Sequence, residues 1–191
     1  MDGAQEQREY YQEKVSEINR NDLIFLDEFG CELNMTKTHG RSLKGYPVYE
    51  EKRTHSSKRL NTIAVLSEKG FETKFSYGVS LDSAIFIYFL EYFILPKYKE
   101  KTIVMDRHPV HYSKEVKKFM NDNEIKYLYL PPYSPELNPI EEAFSKAKGF
   151  IKKKKPRTLE CLRYIVNKAM ETITKTDAEN YIEHAAEFSL V

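Results

Sequence analysis

A chain of 191 residues is long enough for one domain with a sizeable buried core. Hydrophobic residues make up 41% of it and charged residues 31%, which excludes a disordered chain and predicts a globular α/β protein. The formal net charge of +1 excludes a strong overall field toward nucleic acid, so any DNA contact must come from local basic patches.

The two cysteines, Cys31 and Cys161, lie far apart and lack the spacing of metal ligands. This argues against a disulfide framework or a zinc site and fits a reducing environment. The first 20 residues contain no apolar signal region, and the longest apolar stretch, residues 85–95, is too short to cross a bilayer. We therefore expect a cytoplasmic protein with no membrane partner.

Hydrophobic periodicity and turn residues predict a β-rich first half, then alternating strands and helices, then helices alone. A polar, helical linker over residues 1–21 precedes them. Strands are predicted at 23–27, 31–35 (after a turn at Gly30), 59–66, 71–77, 102–106 and 125–130, and helices at 81–95, 113–121, 139–155, 159–173 and 177–186. Pro96 is expected to end the first of these helices, which is apolar on nearly every side and should be buried. This order predicts a mixed sheet with helices on both faces.

Three acidic residues stand at or near hydrophobic runs. Asp27 closes the run Leu-Ile-Phe-Leu, and Asp106 closes Thr-Ile-Val-Met. Glu141 falls in the first turn of a helix for which Asn138 is the expected N-cap and Pro139 the first residue. Functional groups of open α/β sheets gather at the carboxyl ends of strands, where both aspartates would lie. Mg²⁺ prefers oxygen ligands, and two ions roughly 4 Å apart can hold the attacking and leaving oxygens of a displacement at phosphorus. The pattern predicts phosphodiester chemistry on nucleic acid.

Each of these carboxylates also has an ordinary structural explanation. An aspartate after a strand commonly begins a turn, and a negative charge is favoured in the first turn of any helix. Periodicity prefers Glu141 only slightly over Glu142, because Glu141 flanks the apolar stripe of its helix while Glu142 lies more nearly opposite to it.

Basic residues that can contact DNA phosphate occur mainly in the glycine-containing loop at 37–45 and in the lysine-rich helix after Glu141. A solvated loop and a stabilised helix dipole explain the same charges equally well. The candidate DNA contacts are Lys37, Arg41, Lys44, Arg107, His111, Lys146, Lys148, Lys152 and Lys153.

Five sequence segments occur in order along the chain: FLDEFG at 25–30, NMT at 34–36, GR at 40–41, VMD at 104–106 followed by His111, and LPPYSPELNPIE at 130–141. Together they resemble the catalytic domain of mariner-like bacterial insertion-sequence transposases, within the DDE transposase and retroviral integrase superfamily. The resemblance runs from about residue 22 to about residue 188, and the last segment is its most specific part.

The resemblance implies a ribonuclease H-like fold over residues 22–191: a mixed five-stranded sheet flanked by helices, with extra C-terminal helices. It implies that Asp27, Asp106 and Glu141 are the catalytic and metal-binding triad, holding two Mg²⁺ or Mn²⁺ ions, and it decides for Glu141 over Glu142. The implied activity is DNA cleavage at transposon ends followed by strand transfer into target DNA. The implied setting is a homodimer assembled on DNA in the bacterial cytoplasm, at the nucleoid.

Two features depart from the family pattern. Arg107 stands where the family usually has asparagine, and an arginine beside a metal ligand can compete for the carboxylate or contact phosphate. Family members carry helix-turn-helix domains upstream, whereas only a short polar segment precedes Asp27, so a separate helix-turn-helix subunit is a further expected partner. A catalytically inactive remnant that binds DNA or transposase subunits therefore remains a second hypothesis, and a different metal-dependent nuclease on the same fold a third.

Overall fold

A five-stranded mixed sheet forms the centre of the molecule. We describe it from a computed structural model, in which residues 2–35, 41–47, 49 and 58–187 are described. The strands are β1 (Leu23–Glu32), β2 (Arg59–Ser67), β3 (Gly70–Tyr77), β4 (Thr102–Met105) and β5 (Lys126–Tyr129). Their spatial order is β3-β2-β1-β4-β5, antiparallel from β3 to β1 and parallel from β1 to β5. The predicted mixed sheet and its hairpin are confirmed.

Helices cover both faces of this sheet, as predicted. The helices are α1 (Asp2–Ser16), α2 (Ser83–Phe89), α3 (Leu95–Tyr98), α4 (Lys114–Asp122), α5 (Pro139–Lys154), α6 (Leu159–Glu171) and α7 (Lys175–Glu187). One apolar core joins α5, α6 and α7 to one face of the sheet, and a second core joins α2, α3 and α4 to the other face. No helix among the described residues has both the length and the apolar character needed to span a membrane.

The first strand is longer than the sequence indicated. Two strands were expected on either side of a turn at Gly30, but β1 continues unbroken to Glu32, and Gly30 pairs with Asn61 of β2. Pairing with β2 and the continued burial of Phe29 and Cys31 outweigh the turn preference of the glycine. Asp27 therefore lies inside a strand, and the prediction that it closes one was wrong.

Pro96 was expected to end the helix that begins near residue 81, but it lies within a helical segment. A π-helical turn, Leu90–Ile94, joins α2 to α3, and Pro96 is the second residue of α3. Proline lacks the N–H of a normal helical bond and crowds the carbonyl four residues earlier, and the wider turn accommodates it, with the Leu95 N–H bonded to the Leu90 carbonyl. The helix is also not buried all round, since Tyr88 is 46% exposed.

The polar N-terminal segment forms the predicted helix, α1, but one side of it packs on the domain. Tyr11 is buried in the core beneath α7, and Val15 packs partly against the same core. Arg8 forms an ion pair with Glu136, in the short 3₁₀ turn (Pro135–Leu137) that leads into α5. The position of the boundary between linker and domain stays a prediction.

We expect Gly70→Ala to destabilise the protein by about 1 kcal/mol or more. Gly70 opens β3 with a φ of +103°, and an added Cβ would lie 3.0 Å from the Ile173 carbonyl oxygen. Urea denaturation measures the change. Gly149→Ala is the matched control, because Gly149 lies inside α5 with open space around it, and there alanine should stabilise the helix by up to about 1 kcal/mol. Equal stability of Gly70→Ala and the natural chain would contradict the prediction.

Candidate active site

Strand register brings two acidic residues side by side. β1 pairs with β4 only as far as Leu26 opposite Met105, so the next residues, Asp27 and Asp106, meet at the point where β4 stops. Side chains alternate along a strand, which places Asp27 on the face that α5 covers. Glu141, in the first turn of α5, lines the same cleft as the two aspartates. The fold thus brings together the three carboxylates that the sequence singled out.

Asp27 is the most enclosed of the three acids, with 7% of its surface exposed. Its Oδ1 accepts a hydrogen bond of 2.7 Å from the Glu28 backbone N–H, and its Oδ2 accepts one of 2.8 Å from Asn138 Nδ2. Burial, followed by the charges of Glu28 and Asp106, raises the pKa of Asp27 to about 7. This carboxyl therefore titrates in the physiological range.

Asn138 was expected to cap helix α5, and the structure gives its side chain a different task. Its backbone stands at the N-cap position, but its side chain makes no capping bond and reaches across to Asp27 instead. Asn138 is 4% exposed, and its Oδ1 has no hydrogen-bond partner among the described residues. The start of the helix that carries Glu141 is therefore tied directly to the first aspartate. The sequence analysis missed this contact with Asp27. The signal that could have indicated it is the position of a polar residue immediately before the Pro-Ile-Glu segment.

Asp106 is held by a buried histidine. His111 has no exposed surface, its Nδ1 lies 2.8 Å from Asp106 Oδ1, and its Nε2 lies 2.8 Å from Glu28 Oε1. Burial alone would lower the pKa of His111, but the hydrogen bonds and charges of the two acids raise it to about 10, so the ring is protonated at neutral pH. Partial burial works to raise the pKa of Asp106, yet His111 and the His108 N–H together hold it below its usual value.

The DNA contact predicted for His111 does not fit this environment. The ring packs at 4.4 Å from the Phe86 ring, and both ring nitrogens are engaged by carboxylates, so no atom is available to phosphate. The physical reason is the protonated ring's role between Glu28 and Asp106, two acids that would otherwise repel each other across the end of the sheet. Glu28 was not among the predicted site residues.

Arg107 does not compete for the neighbouring aspartate. No ion pair joins Arg107 to Asp106 in the part of the chain that the structure describes, and the arginine is exposed at the mouth of the cleft. Tyr133 lines the same mouth and is fully exposed, with a φ of +55°. The arginine that departs from the family pattern is therefore placed to meet a ligand in the cleft and leaves Asp106 to His111.

The remaining predicted DNA contacts lie in two places, on helix α5 and in the loop around residues 41–44. Lys146 lies 2.7 Å from Asp177 on α7, Lys148 is half-buried over the Phe29 ring, and Lys152 and Lys153 follow on α5. Two loop residues, Arg41 and Lys44, are exposed and are not among the residues that line the cleft. Lys37 lies outside the described residues.

The carboxylate cleft suits a hard divalent cation. Asp27, Asp106 and Glu141 line both of two adjoining cavities of about 470 and 460 Å³, together with His108, so the cleft presents the carboxylate oxygens that a hard cation prefers. Burial, and after it the charges of Glu28 and Asp106, raise the pKa of Asp27, and a divalent cation would relieve the repulsion among these acids. In this structure no three Asp, Glu, His or Cys side chains of the described ranges converge closely enough to form a complete metal site.

Residues 22–163 match the model of a family described as DDE superfamily endonuclease. The chain belongs to this family. A search of the curated proteins with this chain finds no match. The DDE endonuclease assignment covers all three carboxylates and the whole five-stranded sheet.

Solved structures share this fold. The chain superposes on the Mos1 transposase paired-end complex with left transposon end at a TM-score of 0.81 with 15% identity, covering 100% of this chain and 61% of that one. It matches the catalytic domain of Mos1 mariner transposase at 0.74 with 12% identity, covering 100% and 92%, and the Mos1 paired-end complex with Mg at 0.78 with 12% identity, covering 98% and 59%. The chain thus spans about three-fifths of the full Mos1 chains. The predicted ribonuclease H-like fold is confirmed.

Metal affinity should fall as the pH drops below about 7. A cation needs Asp27 ionised, and with a pKa of about 7 in the folded protein a proton competes for the same oxygens. The same raised pKa works in the opposite direction on the metal-free fold, which loses stability as the pH rises from about 4 through about 7. Calorimetric titration with Mn²⁺ should show affinity weakening by up to about tenfold per pH unit below 7. An affinity that does not change between about pH 5.5 and 8 would contradict this role of Asp27.

We expect Asn138→Ala to cost about 1–3 kcal/mol of stability, because Asp27 Oδ2 loses its buried donor. Asn138→Asp should cost more in EDTA, since it places another negative charge against Asp27. Mn²⁺ should restore more of the loss in Asn138→Asp than in Asn138→Ala. Thermal unfolding with EDTA and with Mn²⁺ measures both effects, and equal recovery of the two variants would argue against a cation next to this side chain.

Proposed function

We propose that this chain is the catalytic domain of a transposase, which cuts a DNA strand at the end of a mobile element and joins the freed 3′-hydroxyl to target DNA. The observation that carries the proposal is that Asp27, Asp106 and Glu141 line one cleft of a DDE endonuclease fold. Solved structures of the same fold include one described as a Mos1 strand transfer complex and one with a left transposon end. Both descriptions support DNA ends as the substrate.

The cofactor we propose is Mg²⁺ or Mn²⁺, as two ions held by Asp27, Asp106 and Glu141. Related structures described as containing Mn and Mg support this choice. When bound, these ions supply an acidic water and charge stabilisation at phosphorus. Asp27 stands on a strand, Asp106 follows a strand and Glu141 stands on a helix, so the three proposed ligands come from three different elements.

The surrounding side chains keep the ligands in place. Asn138 fixes one oxygen of Asp27, and the His111 ring fixes one oxygen of Asp106, so each aspartate keeps a defined orientation. His111 is protonated and fully enclosed, which makes it a positioning residue rather than a general base. Arg107 and Tyr133, at the exposed mouth, are placed to contact the DNA strand as it enters.

The remaining parts of the proposal concern partners. We propose that the domain acts as a homodimer on DNA, beside the bacterial nucleoid, and that a helix-turn-helix module supplies recognition of the element's ends. The description of the related structures as paired-end complexes supports an assembly that holds two DNA ends together.

Strand nicking tests the triad. With Mn²⁺ and supercoiled plasmid, and with precleaved transposon-end DNA for strand transfer, Asp106→Asn and Glu141→Gln should each lower the rate by about a thousandfold or more. Glu142→Gln is the matched control, because Glu142 is the next residue of α5 and bonds His184 outside the cleft. Activity that survives Asp106→Asn, or that Glu142→Gln abolishes equally, would overturn the triad. Absence of any activity, together with no Mn²⁺ binding by calorimetry, would favour an inactive remnant.

A further inference from the structure

Three positively charged residues lie near β1 beyond the end of β4. The sequence analysis named two of them, Lys148 and Lys152, among other lysines and did not name Arg59. The parallel pairing of β1 stops at Leu26, so residues 27–32 keep only β2 as a partner in the described part of the sheet. The charges of Lys148, Arg59 and Lys152 all act on the buried Cys31 thiol and lower its pKa, against the larger effect of burial, which raises it. All three cations therefore lie around this stretch of β1.

The helical period separates these lysines from their neighbours on α5. Lys148 and Lys152 stand seven and eleven residues after Glu141, within about 20° of it around the helix at about 100° per residue. Lys153 points about 120° away from Glu141 by the same count, and Lys146 turns to Asp177. Lys148 and Lys152 therefore share the face of α5 that carries the catalytic acid, and Lys148 lies over the Phe29 ring of β1.

Arg59 reaches the same stretch from β2, and Gly30 makes room for it. An added Cβ on Gly30 would lie 2.2 Å from both Arg59 Nε and Nη2, so the guanidinium rests directly on the glycine backbone. Gly30 has ordinary strand pairing with Asn61 and no left-handed φ, so the missing side chain serves this close approach. Arg59 lines the cavity that also holds Asp27 and Glu141.

The guanidinium has no acidic partner among the residues that the structure describes, although four carboxylates, those of Asp27, Glu28, Asp106 and Glu141, line the same cavity. A planar, permanently charged fork suits a phosphate group, which it can bind through two parallel hydrogen bonds. Arg59 is the cation that lines this cavity together with the carboxylates of Asp27, Asp106 and Glu141, so it offsets part of their repulsion of a polyanionic strand. We infer that Arg59, seated on Gly30, binds the phosphate backbone of the DNA strand in the carboxylate cleft, and that Lys148 and Lys152 add positive charge from the α5 face of β1.

This inference rests on the proposed function for the identity of the ligand and adds the residues that hold it. The contact is to phosphate, so it is independent of base sequence. Removing it should weaken binding to every DNA sequence alike and should reduce the dependence of log affinity on log salt concentration by about 1.

Fluorescence anisotropy with labelled duplex DNA of arbitrary sequence, in EDTA, tests the site without any cleavage. Arg59→Ala should bind about tenfold more weakly than the natural chain, with a shallower salt dependence. Gly30→Ala keeps every charge but displaces the guanidinium, and it should give a similar loss. The double variant should bind no more weakly than Arg59→Ala, because both changes remove one contact. The displaced group is the end of a flexible side chain, so Gly30→Ala should fold normally, which thermal unfolding checks.

Lys153→Ala is the matched control, since it removes one positive charge from the far side of α5 and should change binding much less than Lys152→Ala. Unchanged DNA binding by Arg59→Ala, an equal loss in Lys153→Ala, or a Gly30→Ala variant that binds as the natural chain does would each overturn the inference. So would a loss confined to labelled RNA, or a natural chain that does not bind DNA at low salt. If the natural chain nicks DNA and Arg59→Ala binds DNA as tightly as the natural chain does, this inference is wrong and the proposed function stands. DNA binding that depends on Arg59 in a chain without nicking activity would sink the proposed function alone.

Discussion

The repulsion between carboxylates at the end of β4 is the constraint on which the rest of the site depends. Asp27 is buried beside other acids, and its pKa of about 7 records how unfavourable its negative charge is there. Two neighbouring features offset that cost, the amide of Asn138 on Asp27 and the protonated ring of His111 between Asp106 and Glu28. The fold therefore keeps a concentration of negative charge that only a cation fully neutralises, and the first turn of α5 is fixed in position by the same hydrogen bonds.

The basic residues around β1 bear on a second electrostatic question, the attraction between DNA and the domain. A net charge of +1 gives the chain no general attraction for DNA, and four carboxylates line the cleft in which we propose that the phosphate binds. Arg59, Lys148 and Lys152 place positive charge beside that cleft, from a strand on one side and a helix on the other.

Much of the fold and the three acids could be predicted from the sequence, because strand patterns, helix caps and the segment before Glu141 are local signals. The misassigned elements were those in which tertiary pairing overrides a local signal: Gly30 is a strand residue because β2 pairs with it, and Pro96 is accommodated by a π turn. The contacts that complete the site join positions far apart in sequence, such as Asn138 with Asp27 and His111 with Glu28. Periodicity describes one element at a time, so it could place His111 near the second acid but could not show that its ring is enclosed. No sequence pattern marked Arg59 as a site residue. Its position follows from the structure, in which its guanidinium occupies the place of the missing side chain of Gly30.

The ion pair between Arg8 and Glu136 has a mechanical consequence. Glu136 belongs to the short turn that ends at Asn138, and Arg8 stands on α1, whose Tyr11 is anchored in the core under α7. A force that shifts α1 along the surface would be transmitted through this pair to the turn, and from there to the amide that orients Asp27 and to the helix that carries Glu141. The N-terminal helix is thus connected to the carboxylates through one ion pair, the 3₁₀ turn and the Asn138 amide.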